Sequence, residues 1–63
     1  MFRLVIEDKY LDCKLDNASE VANVIFDKTG LWMFASHVRQ VCGKAKSGDR
    51  FEYEDVGVII ECL

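Results

Sequence analysis

A small antiparallel sheet of three to four strands with two helices packed on one face, in the order ββααβ(β), is the α+β architecture that the sequence predicts. Three observations predict it. Apolar residues alternate at both ends of the chain, two apolar series at helical spacing fill the middle, and 63 residues leave room for a single domain. Hydrophobic residues make up 51% and charged residues 30%, a globular rather than a disordered balance. Proline is absent, and no low-complexity run or internal repeat stands out.

The elements follow in order. Over residues 2–7, Phe2, Leu4 and Ile6 alternate with Arg3, Val5 and Glu7, the period of a strand with one buried face. Residues 10–15 do the same with Leu11, Cys13 and Leu15, and Glu7-Asp8-Lys9 between them supplies a tight turn, giving a hairpin. Asn17 is placed to cap a helix over about residues 17–28, with Glu20 three positions on as the second half of a capping box. Ala18, Val21, Ala22 and Ile25 form its apolar stripe, and Gly30 fits the left-handed position past its end. Leu31, Phe34, Ala35, Val38, Val41, Cys42 and Ala45 describe the buried face of a second helix ending at Gly43. Two starts for it stay open: one directly after Gly30, the other capped by Ser36 with Leu31–Ala35 as the turn. Lys44–Arg50 reads as a polar loop. Phe51 and Tyr53, then Val58, Ile60 and Cys62, alternate as strand with a bend at Asp55-Val56-Gly57. Mixed strand pairing stays open, and Val58–Cys62 is a candidate free edge through which a second copy would extend the sheet.

Composition also excludes classes of function. The longest apolar runs, around Leu31–Ala35 and Val56–Ile60, fall far short of the roughly 20 residues that cross a bilayer. Charges at Glu7 and Asp8 interrupt the first apolar run, so no secretory signal is expected. A cytoplasmic protein is the expectation, in a host cytoplasm if phage-encoded. Cys13, Cys42 and Cys62, odd in number and widely spaced, suit a reducing compartment and are expected to be small buried side chains. With His37 the only histidine and no Cys-x-x-Cys pair, no metal or other cofactor is expected. Gly43-Lys44 lacks the rest of a phosphate loop, and the five-residue step from His37 to Cys42 does not bring the two together on a helix. No enzyme and no small-molecule substrate are expected.

Charge is unevenly distributed. The chain carries a formal −3, yet residues 28–50 hold five cations (Lys28, Arg39, Lys44, Lys46, Arg50) against Asp49, a local +4, which leaves −7 elsewhere. A solvated cationic helix face is the bland explanation; a nucleic-acid footprint is the sharper one. Within residues 17–54, Ser19-Glu20-Val21-Ala22, Thr29-Gly30-Leu31, the run Ser36-His37-Val38-Arg39-Gln40-Val41-Cys42-Gly43-Lys44 and Phe51-Glu52-Tyr53 succeed one another. This succession resembles the modular helix-turn-helix DNA-binding motif of intron and phage homing endonucleases. It departs from that motif where Cys42 directly abuts Gly43. The resemblance implies a second helix entering the major groove of duplex DNA by its N-terminal end. Ser36, His37, Arg39 and Gln40 would then be base or phosphate contacts, and Lys44, Lys46 and Arg50 phosphate contacts.

The competing reading starts from Trp32 and Met33, which fall off the second helix's apolar face. Interfaces enrich Trp, Met and Arg, so Trp32, Met33 and Arg39 are the candidate contact residues for a protein partner or a second copy of the chain. The alternative for Trp32 is packing over a sheet edge. The acidic remainder of the chain would suit a basic partner. A small non-catalytic regulator or inhibitor of the phage type, docking on a larger protein, is therefore the leading expectation, and the DNA-binding module is the alternative.

Overall fold

The computed structural model describes residues 1–63, and its elements are β1 (Phe2–Ile6), β2 (Leu11–Leu15), α1 (Ala18–Thr29), α2 (Trp32–Gly43), β3 (Arg50–Tyr53) and β4 (Val58–Cys62). The strands form one antiparallel sheet in the order β2-β1-β4-β3, with the two helices on one face. The expected α+β class and the order ββααββ hold. Both terminal strands lie at the centre of the sheet: Leu4 stands opposite Cys13 on one side and Ile60 on the other. This overturns Val58–Cys62 as a free edge. Val58 and Ile60 are fully buried, and β4 is hydrogen-bonded on both flanks, so the open edges belong to β2 and β3.

Alternation decides which face is covered. Phe2, Leu4, Ile6, Val58 and Ile60 turn towards the helices and meet Val21, Ala22 and Ile25 of α1 and Ala35, Val38 and Cys42 of α2. Burying each large aliphatic side chain there contributes about 1.5–3 kcal/mol. The other face carries Arg3, Val5, Ile59, Glu61, Arg50 and Glu52 and meets no second layer. Of the three cysteines only Cys42 is buried. Cys13 and Cys62 are half-buried, the first because it lies on the edge strand and the second because it ends β4.

Local chemistry sets the helix ends. Asn17 Oδ1 accepts from the Glu20 N–H at 2.9 Å, and Glu20 Oε2 reaches back to accept from the Asp16 N–H, also at 2.9 Å. Gly30 takes the left-handed conformation, φ 71°, and donates to Phe26 O, which closes α1. The second helix starts at Trp32, so the Ser36-capped alternative is not the one formed. Its N-terminus has no side-chain cap. Helix formation does not need one here, because Ala35 and Val38 bury their side chains in the core and hold the first turns by packing.

The two hairpins share one turn. A 3-10 turn, Glu7–Lys9 or Glu54–Val56, leads to a left-handed residue, Tyr10 (φ 51°) or Gly57 (φ 64°), whose N–H donates to the carbonyl of the turn's first glutamate. The repeated signal is only Glu-Asp, too short to register as an internal repeat in the sequence.

Candidate functional site

The outer surface of the helical hairpin carries most of the residues singled out in the sequence. Trp32, Ser36, Arg39 and Gly43 recur at helical spacing on the flank of α2 beside its buried Ala35, Val38 and Cys42, and Gln40 and Lys44 follow one position further round. Between the helices a shallow groove is lined by Ala22, Asn23 and Phe26 of α1 and by Trp32, Ala35, Ser36 and Arg39 of α2. Further along, Ser36, Arg39, Gln40, Gly43 and Lys44 line a second depression that no large apolar side chain enters. None of Arg39, Lys44 and Lys46 pairs with a carboxylate of the chain, so these charges face solvent.

At the N-terminal end of this surface the exposed side chains are apolar. Trp32 is 67% and Met33 80% accessible; Phe26, at 48%, lines the groove with Trp32, and Leu31, at 44%, precedes Trp32 in the chain. Trp32 is thus not packed over the sheet edge. Leu31, expected on the buried stripe, stands instead at the cap position ahead of α2, where the backbone has not yet turned helical. Phe26 was not singled out in the sequence. Its signal was a position one step off the Ala18–Val21–Ala22–Ile25 stripe, which becomes informative only once the second helix is placed.

Two expected residues stand elsewhere. Arg50 lies on the helix-free face of the sheet, where Nε donates to Glu52 at 2.8 Å and an NH group sits 3.5 Å from Glu61. Strand alternation puts it there, away from the basic surface of α2. His37 is exposed but turns to the β3 side of α2, edge-on to Tyr53 with ring centroids 6.0 Å apart. Tyr53 in turn packs edge-on against Phe34 at 5.0 Å, and partial burial raises its phenol pKa, with Cys42 adding to the shift. Lys46 starts the tight loop before β3, its N–H held by the Asp49 carboxylate at 2.8 Å.

Arg50 belongs to a charge ladder that the sequence alone did not reveal. Asp12, Arg3, Glu61, Arg50 and Glu52 alternate in sign across the open sheet face. Arg3 grips Asp12 through two hydrogen bonds of 3.0 and 2.7 Å and reaches Glu61 at 3.4 Å. The guanidinium's hydrogen bond holds the Asp12 carboxyl below its ordinary value, and the pair raises Arg3. These groups are exposed or half-buried and pair with one another, so they organise the sheet surface.

The side-chain arrangement contains no cluster of three or more histidine, cysteine or acidic residues suited to a metal ion, and no helix is long and apolar enough to cross a membrane. The fold and surface define a four-stranded α+β domain carrying an exposed helical hairpin. No protein family, characterised protein or solved structure matches the chain.

Proposed function

We propose that the chain is a small non-catalytic binding protein that docks on a larger protein through the outer surface of its helical hairpin. The observation that carries this reading is the exposure of Trp32 and Met33 next to Phe26 and Leu31 on a molecule whose other large apolar side chains are mostly covered. Phe26 and Trp32 line one groove; exposed apolar surface marks interaction sites, and tryptophan leads among the residues that dominate binding energy. Arg39, free of any internal partner and lining the same groove as Trp32, adds a directional charge. The complementary partner surface is an apolar recess with a carboxylate at its rim. Regulation or inhibition of the host protein is the role that suits such a ligand.

The test uses Trp32→Ala and Arg39→Ala in the folded chain. Once a partner is captured, identified and purified, its Kd for Trp32→Ala should rise by about 30-fold or more, the loss of a hot-spot residue worth at least 2 kcal/mol. An unchanged Kd would remove the hairpin from the interface.

A second reading keeps duplex DNA as the partner of Ser36, Arg39, Gln40, Lys44 and Lys46. It is favoured by the unpaired state of those cations on or beside one face of α2. Trp32 and Met33 occupy the end of the helix that would enter a groove, and Arg50 stands on another surface, which favours protein docking. A gel shift on mixed duplex at two salt concentrations decides, since DNA binding must weaken steeply as salt rises.

A further inference from the structure

The free edge of β2 is complementary to itself, and we propose that two copies of the chain pair antiparallel through it, joining their sheets across a twofold axis at Cys13. The proposal stands apart from the docking reading, which uses the outer surface of the helical hairpin.

Backbone polarity establishes which groups are free. Leu63 donates to Met1 O at 2.9 Å and Glu7 to Gly57 O at 2.9 Å, so the odd-numbered residues of β1 direct their backbone groups at β4. The even-numbered Phe2, Leu4 and Ile6 therefore bond to Leu15, Cys13 and Leu11. That leaves the N–H and C=O of Asp12 and Lys14 pointing outward from the sheet, without a strand to receive them. In sequence the strand reads Leu-Asp-Cys-Lys-Leu. Turned antiparallel onto itself about Cys13, it sets Asp12 opposite Lys14 of the second copy and Leu11 opposite Leu15. The outward backbone groups of Asp12 and Lys14 then meet as hydrogen-bonded pairs, and the two Cys13 form the close, non-hydrogen-bonded pair between them. Backbone polarity, side-chain charge and apolar matching all select that same register.

Two further observations favour this edge over β3. Lys14 is the one cation on the open sheet face with no carboxylate of its own chain in ion-pair range, whereas Arg3 and Arg50 each have two. A second copy brings it Asp12. On the helix-side face, Leu11, Cys13 and Leu15 pack against the core yet stay half-exposed, because the sheet ends there. The strand has no proline and no bulge to discourage pairing. On β3, which is shorter by one residue, Arg50 is already held by Glu52 and Glu61.

Sedimentation equilibrium over a range of concentrations tests the assembly. The wild-type chain should move from 7.2 kDa towards twice that mass. Lys14→Asp sets aspartate against aspartate at both ends of the joint and should raise the dimer Kd by about tenfold or more. The exchange variant Asp12→Lys/Lys14→Asp restores opposite charges across the joint and should restore the dimer; because it also changes the contacts of Arg3, far-ultraviolet circular dichroism of both variants separates lost pairing from lost folding. Diamide, which accepts the two hydrogens as a thiol pair becomes a disulfide, should yield a covalent dimer whose tryptic digest joins two Tyr10–Lys14 peptides. A wild-type chain that stays monomeric, a dimer indifferent to the charge exchange but abolished by Trp32→Ala, or a crosslink mapping only to Cys62 would each overturn the proposal.

Discussion

Replacing Tyr10 by glycine should make the protein more stable, although it deletes an entire aromatic side chain. Tyr10 holds φ 51° and ψ 37°, the left-handed region, and its side chain is 97% exposed. A residue with a Cβ costs about 1–2 kcal/mol in that conformation. Glycine removes the cost but brings a more flexible unfolded chain, which takes back about 0.5–1 kcal/mol. The ring offsets little, since it buries almost no area, and the Tyr10 hydroxyl has no hydrogen-bond partner within the chain. The net gain is about 0–1.5 kcal/mol, and its middle value lifts the Tm of a domain of this size by roughly 3–6 °C. The twin turn gives the reciprocal control. Gly57→Ala introduces the strain that Tyr10 already carries and should lower stability by a similar amount, because the new Cβ would lie an unstrained 3.8 Å from the Asp8 carboxylate. Urea unfolding followed by far-ultraviolet circular dichroism reads both changes as midpoint shifts at constant m. A Tyr10→Gly midpoint below wild type would refute the reasoning and assign the ring a stabilising role that its exposure denies.

Titration supplies two more predictions. Burial, with a smaller contribution from Cys62, pushes the Cys42 thiol up to about 11 from an ordinary 9.0, so the folded protein holds that proton more tightly than the unfolded chain. The corresponding stability is complete below pH 9.0 and is lost as pH rises towards 11. Urea midpoints should fall through that window, and less so in Cys42→Ala. On the open sheet face the Asp12 carboxyl is held below 3.8 by Arg3, so its share of stability is present above 3.8 and lost as pH falls through the lower folded value. The pair is exposed and its energetic effect small. The direct readout is therefore the Asp12 carboxyl resonance in an NMR titration, which should return towards 3.8 in Arg3→Gln.

What was legible in the sequence was whatever repeats along the chain. Phe2-Leu4-Ile6 and Val58-Ile60 gave the strands by alternation, Asn17 with Glu20 and Gly30 gave both ends of α1, and the step from Val38 to Cys42 gave the inward face of α2. Strand order is not a periodic property. That β4 inserts beside β1 depends on contacts between residues such as Leu4 and Ile60, far apart in the chain, and no local pattern encodes their pairing. For that reason Val58–Cys62 reads in the sequence as a candidate edge, although it is paired on both sides. The same gap hid the ladder from Asp12 to Glu52, whose members sit on four different strands. On the hairpin, Trp32, Met33 and Arg39 could be picked out because α2 alone determines their direction. Arg50 could not, since its direction depends on the register of β3.

The exposure of Trp32 and Met33 is a consequence of that helical geometry and not of a core too small to hold them. The residues of α2 that face inward, Ala35, Val38 and Cys42, are small and almost completely buried, in one core with Ile25 of α1 and with Leu4 and Ile60 of the sheet. Turning α2 to hide Trp32 would bring Val38 and Cys42 into water and would force an indole into a space fitted to a valine and an alanine. Both changes oppose folding, the first by lost burial and the second by overpacking. A fold that places its bulkiest side chain where it cannot enter its own core leaves that side chain's apolar area in water, which is the ground on which the docking proposal stands. With Trp32 67% accessible and outside the core, Trp32→Ala should leave the urea midpoint nearly unchanged, and a loss of binding in that variant then reports on the interface.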